Sequence, residues 1–167
     1  MFELEEALQR ARELLLRTKE RQGIVYVVGN GGSAGIASHF CIDLLNTLAI
    51  PASTLVDSSV MTCMANDYGY EHVFDIPLRT LLKPADLLVA ISSSGQSPNI
   101  LNAVQTAIEK DSDVITFSGF AENNPLRTLG ALNFWLSSRD YGLVEMGHFF
   151  LLHTLVDCWS LVYARQD

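Results

Sequence analysis

His39 and Asp43 stand four residues apart in a run of helical periodicity, so both side chains leave one face. An imidazole and a carboxylate so placed can hold a divalent cation or pass protons. On their own they read more readily as a core histidine beside a helix-surface acid. Glu145, His148 and His153 fall in the apolar stretch near the C-terminus, where a buried ionisable group needs a partner. On a continuous helix Glu145 and His153 would be about 12 Å apart along the axis. They serve one site only if Glu145 precedes the regular helix or if two subunits contribute.

Two loops suggest an anion. Gly29-Asn30-Gly31-Gly32-Ser33 follows the unbroken apolar run Ile24-Val25-Tyr26-Val27-Val28 and precedes a helical pattern. Glycines let backbone N–H groups approach a ligand, and the helix N-terminus favours negative charge. Ser92-Ser93-Ser94-Gly95-Gln96-Ser97 occupies the same place after a second apolar run, with four hydroxyls. Alone, either loop is an ordinary turn. Gly29, Gly31 and Ala34 also fit the G-x-G-x-x-A of dinucleotide folds, with Asp57 as a ribose acid. A dinucleotide has no use for the second cradle, so no nucleotide cofactor is expected. The pair, at the C-terminal ends of parallel strands, suits one phosphate group.

The elements that must position these residues alternate along the chain. Helical spacing covers residues 2–21, followed by a strand at 24–28 and a helix from Ser33 to Leu45. A strand at Ser53 to Val56 and a short helix from Ser58 lead to a turn, Asn66-Asp67-Tyr68-Gly69. Phe74 to Leu82 reads as a helix with Pro77 in its first turn. Then come a strand at 86–91, a helix from Pro98 to Lys110, strands at 113–118 and 132–136, and a helix from Val144 to Arg165. Alternation of this kind predicts an α/β fold with a parallel sheet covered on both faces. The last helix is apolar nearly all round (Phe149, Phe150, Leu151, Leu152, Leu155, Val156, Trp159, Leu161, Val162), which predicts full burial. More apolar helix surface than one sheet covers predicts a homo-oligomer.

Composition narrows the partners. The 167 residues carry 11 Lys and Arg against 19 Asp and Glu, a net charge of −8, which argues against nucleic acid and anionic membrane. The acidic, amphipathic start does not read as a secretory leader, so none is expected, and no apolar run reaches the roughly 20 residues of a membrane span. Cys41, Cys63 and Cys158 are odd in number and far apart, and read as buried apolar residues in a reducing compartment. A cytoplasmic location is expected.

GNGGSA at 29–34, NDYGY at 66–70 and AISSSGQSPN at 90–99 resemble the sugar isomerase (SIS) domain, and within it the sedoheptulose-7-phosphate isomerases, from about Gly23 to Asp157. The resemblance implies a flavodoxin-like three-layer αβα sandwich with a five-stranded parallel sheet. It further implies one SIS domain over 1–167, with the helix of 1–21 in an oligomer interface and 23–165 as the αβα core. A homotetramer with phosphosugar sites where subunits meet is the expected assembly.

The resemblance implies that Ser92, Ser94 and Ser97 hold the phosphate, and Gly31, Gly32 and Ser93 of the two loops complete the expected substrate-binding set. Asn30, Ser33 and Asp67 face the sugar. His39 falls on a zinc ligand, and Asp43 on a glutamate that is both ligand and catalytic base, here one methylene shorter. Glu145 falls on a zinc-ligating glutamine, and His153 on a ligand that is also the second acid–base group. Gly142 stands where those isomerases have a substrate-facing aspartate, with Asp140 nearby. The chemistry implied is aldose–ketose isomerisation of sedoheptulose 7-phosphate to a D-glycero-D-manno-heptose 7-phosphate or a related sugar phosphate. Asp43 would be the base, His153 its partner, and zinc the metal on His39, Asp43, Glu145 and His153. The departures keep open a non-catalytic SIS module that binds a phosphosugar or a partner, as some such proteins bind the DnaA replication initiator.

Overall fold

The computed structural model describes residues 4–163. Its sheet has five parallel strands in the order β2-β1-β3-β4-β5: β1 Val25–Gly29, β2 Ala52–Ser53, β3 Leu87–Ser92, β4 Asp113–Ser118 and β5 Leu132–Trp135. Six helices cover it: α1 Leu4–Glu20, α2 Gly32–Asn46, α3 Ser58–Tyr68, α4 Asp75–Leu81, α5 Pro98–Glu109 and α6 Tyr141–Tyr163. This is a three-layer αβα sandwich, as the alternation of elements required.

β1 and β3 are buried along their whole length, which explains their continuous apolar runs. Successive side chains serve opposite layers. Val25 and Val27 join Leu15, Phe40, Ile91, Phe117 and Leu152 in the core under α1, α2 and α6. Tyr26 and Val28 join Phe74, Leu78, Leu88, Ile100 and Val104 under α4 and α5. Each such side chain contributes about 1.5–3 kcal/mol when fully buried.

β1 and β3 are neighbours, with Gly29 opposite Ile91, yet α2 and α5 leave them for opposite faces. Their C-terminal ends therefore bracket a topological switch point, where open α/β sheets take ligands. At the other end the buried Asp86 carboxylate accepts from Ile24 N and Lys83 N, both at 2.8 Å, pinning the starts of the same two strands.

Several expectations need correction. β2 has only two residues, Ala52 and Ser53, because Leu55 leaves extended geometry with φ +50°. Asn66, Asp67 and Tyr68 are the last turn of α3, and only Gly69, at φ +92°, ends the helix. A 3-10 turn, Tyr70–His72, follows. Cys41 is buried, but Cys63 and Cys158 are exposed. α6 begins at Tyr141 rather than Val144 and is not buried all round within one chain: Leu143, Met146 and Phe150 are 65%, 65% and 69% exposed. The side chains of Trp159, Leu161 and Val162, and the outer ends expected at Phe2 and Arg165, lie outside the described residues. Among the described residues, no helix is long and apolar enough to cross a membrane.

Candidate active site

The loop after β1 turns on Gly31, whose φ of +53° and ψ of −121° a side chain would strain. Ser33 N donates to Asn30 O, and Ala34 N to Gly31 O, so α2 starts at once. No side chain caps its N-terminus, and none at Ser97 caps α5. α3 shows the ordinary arrangement instead, with Asp57 Oδ1 accepting from Ser59 N and Val60 N. Asp57 is thus a helix cap, which removes the acid from the dinucleotide alternative. The two uncapped ends flank the switch point and present positive dipole ends to it.

Between them lies a pocket of about 120 Å³ lined by Asn30, Ser33, Ser92, Ser93, Ser94, Ser97, Tyr141 and Glu145. Ser92 Oγ and Ser97 Oγ lie 3.2 Å apart, and Ser94 Oγ accepts from Gln96 N at 3.2 Å. Ser93 Oγ is buried and has no hydrogen-bond partner among the described residues. A buried hydroxyl left this way in a polar pocket points to a ligand that completes it. None of the lining residues is a lysine or arginine.

Glu145 is the wall between this pocket and a second, of about 300 Å³, lined by Gly32, Gly35, Ile36, His39, Glu145, Met146 and Phe149. Its carboxylate rests on the start of α2: a Cβ at Gly32 would stand 2.5 Å from either oxygen. Glycine at position 32 makes room for it.

Beyond Glu145, α2 and α6 bring His39, Asp43 and His153 together, with one ligand atom of each within 4.8 Å of the others. Asp43 Oδ2 lies 3.7 Å from His39 Nε2 and 3.3 Å from His153 Nδ1. The shorter acid therefore still reaches both imidazoles. Phe149 packs edge-on to His39 and His153, with ring centroids 5.0 and 4.5 Å away, and fixes their planes. Ligand atoms about 2.05 Å from a tetrahedral zinc sit about 3.3 Å from one another. Two imidazoles and a carboxylate suit zinc in donor type, and the two separations from Asp43 lie near that spacing. Glu145 lies inside the regular helix and is not among the grouped atoms.

His148 does something else. It is fully buried, its Nε2 donates to Ser118 O at 3.0 Å, and its Nδ1 has no partner among the described residues. Burial lowers its pKa to about 4, so it is a neutral core group. Asp67 is exposed, accepts from Asn66 Nδ2 and Cys63 Sγ, and lines neither pocket. Sequence reasoning passed over Tyr141 and Asn99. Tyr141 lines the serine pocket, and helical periodicity could have found it had α6 been extended three residues. Asn99 sits inside the serine motif but carries no signal of its own there.

The SIS domain family model matches residues 2–119. The chain is 34% identical over 170 residues to the phosphoheptose isomerase of Helicobacter pylori strain 26695, covering 98% of this chain and 88% of the relative. The solved structure of phosphoheptose isomerase GmhA from Neisseria gonorrhoeae superposes with a TM-score of 0.86 at 34% identity, covering 93% of this chain and 86% of that one. The phosphoheptose isomerase from Francisella tularensis gives 0.85 at 32% identity, covering 92% and 84%.

Proposed function

This chain belongs to the SIS domain family, and from that membership we propose that it is a phosphoheptose isomerase, interconverting sedoheptulose 7-phosphate and a heptose 7-phosphate. One observation carries the reading: a serine pocket suited to an anion shares Glu145 with the pocket of His39, and His39 is grouped with Asp43 and His153. The phosphate takes the hydroxyls of Ser92, Ser93, Ser94 and Ser97 and the dipole of α5. The sugar runs toward the imidazoles past Ser33.

Asp43 is the base. It takes a proton from the carbon beside the carbonyl and returns it to the adjacent carbon, so the carbonyl moves one position and nothing is gained or lost. His153, 3.3 Å from Asp43, shuttles the hydroxyl proton between the two oxygens. Phe149 holds both histidine rings in plane, which matters because placement errors of an ångström cost large factors in rate. His39, Asp43 and His153 are the residues that would hold zinc. Zinc bound by them would supply positive charge toward a developing oxyanion.

The assembly is a homotetramer, with α1 in its interface and the protein in the cytoplasm. In support of self-association, Leu143, Met146 and Phe150 form an exposed i, i+3, i+7 apolar stripe on α6, and Ile42 and Leu45 are exposed on α2. Met146 of the α6 stripe also lines the pocket that holds His39, so a second copy laid on that stripe would lie beside it. Turnover of sedoheptulose 7-phosphate by purified protein, with and without zinc, tests the reading. Product heptose phosphate supports it. No isomerisation of any phosphoketose, with Asp43→Asn indistinguishable from the parent, sinks it.

A further inference from the structure

The side chain of Asn30 is engaged with protein on both of its polar atoms. Its Nδ2 donates to Asn99 Oδ1 at 3.0 Å, and its Oδ1 accepts from Asn99 Nδ2 at 2.8 Å. The two amides form a reciprocal pair, with each acting as donor and acceptor. Tyr70 Oη adds a third bond, donating to Asn30 Oδ1 at 3.1 Å. Asn99 Oδ1 also accepts from Ile100 N at 3.0 Å, which fixes that atom as the oxygen. Asn99 is 1% exposed, so its amide must find partners inside the fold.

The pair lies at one particular place. Asn30 follows β1 and precedes α2, while Asn99 is the second residue of α5, after β3. The two helices diverge to opposite faces of the sheet from adjacent strands. Nothing in the backbone ladder beyond Gly29 and Ile91 holds the two loops at a set separation. Asp86 ties the same strands at their starts, and the Asn30–Asn99 pair ties their ligand-bearing ends.

From this we infer that Asn99 and Tyr70 are positioning residues, forming a neutral cross-tie through Asn30 that sets the span between the glycine loop and the serine loop. The span decides whether one molecule can reach both, so the cross-tie selects for a ligand with a phosphate at one end and sugar hydroxyls at the other. An amide pair suits the place because it adds no charge beside an anion cradle, as a salt bridge would. The part of the inference that concerns the sugar rests on the isomerase reading, whereas the part that concerns the loops does not. Tyr70 reaches the tie from the 3-10 turn whose His72 pairs at 3.1 Å with the buried Asp75, a carboxylate that Arg79 of α4 also holds at 2.9 Å.

The test uses the full chain with Asn99→Ala, Asn99→Asp and Tyr70→Phe. Asp keeps the volume and the acceptor but sets an oxygen against Asn30 Oδ1, so it should fail as Ala does. Without ligand, exchange of the Ser33 and Ala34 amide hydrogens should speed up about tenfold or more in both Asn99 variants, and about threefold in Tyr70→Phe, for hydrogen bonds of ordinary net strength. Exchange at Ile115 in the central strand serves as the control and should not follow them. With ligand, KM for sedoheptulose 7-phosphate should rise about tenfold, while the dissociation constant of inorganic phosphate, which needs only the serine loop, moves less than about threefold. Unchanged exchange at Ser33 and Ala34, or an Asn99→Asp variant that matches the parent, overturns the cross-tie. So does an equal weakening of both ligands. A parent protein that turns over no phosphosugar sinks the isomerase reading alone, and the exchange measurement still decides the tie.

Discussion

Replacing His148 with Gln should remove a defined part of the acid sensitivity of this fold. The imidazole is fully buried against Phe117, donates through Nε2 to Ser118 O, and leaves Nδ1 without a partner among the described residues. Burial holds its folded pKa at about 4, against 6.5 for the free side chain. A folded pKa below the unfolded one means that the unfolded chain takes up the proton first. Stability from this group is therefore intact above about pH 6.5 and is lost as the pH falls toward about 4. About 2.5 pH units at 1.36 kcal/mol each gives about 3 kcal/mol, a large share of the usual net stability of a domain. Gln places an amide N–H near the Nε2 position and cannot titrate. It loses the edge-on contact with Phe117, at 5.6 Å between centroids, and should cost about 1–2 kcal/mol at neutral pH. Urea unfolding at fixed protein concentration, stepped from about pH 7.5 to about pH 4.5, measures both effects. The parent should start more stable and lose its lead as the pH drops, with the two curves meeting near pH 5. His39, His72 and His153 remain in both proteins and cancel. Parallel curves across that range would refute the assignment of His148 as a buried neutral group.

Other outcomes are as direct. Asp43→Asn should lower kcat by about 10²–10⁴-fold with little change in the thermal midpoint, measured by coupled turnover and calorimetry. Ser97→Ala removes one hydroxyl from the phosphate cradle and should raise KM about fivefold to tenfold while leaving kcat within about twofold, read from a substrate titration. Phe150→Glu puts a charge in the exposed stripe of α6 and should shift the protein to smaller species in sedimentation at micromolar concentration.

Much of the architecture could be read directly from residue patterns. β1 and β3 are unbroken apolar runs because both faces are covered. Pro98 marked the first turn of α5 for the reason proline always can, having no N–H to satisfy. The turn expected at Asn66 to Gly69 failed because Asn and Asp are turn formers only where no helix already runs through them; α3 does, and Gly69 alone stops it. β2 was overextended because an edge strand is defined by its partner's reach, and β1 has ladder positions for only Val25 and Tyr26 there. His39, Asp43 and His153 could be listed from their types and the family resemblance. Glu145 was harder, since its position over Gly32 depends on how α6 crosses α2. The Asn30–Asn99 pair was invisible, because 69 residues separate two amides that meet only when the sheet forms.

If the serine pocket binds its anion with hydroxyls and helix dipoles, as proposed, a chain of net charge −8 gives that binding a kinetic signature. A basic site draws its anion in from solution and slows as salt screens the attraction. Here the long-range field of the protein pushes a sugar phosphate away, and only the short-range dipoles hold it once it arrives. Added salt should therefore quicken capture and leave release nearly untouched. Stopped-flow binding would show the association rate climbing with ionic strength, opposite to the slope of a lysine-lined phosphate site.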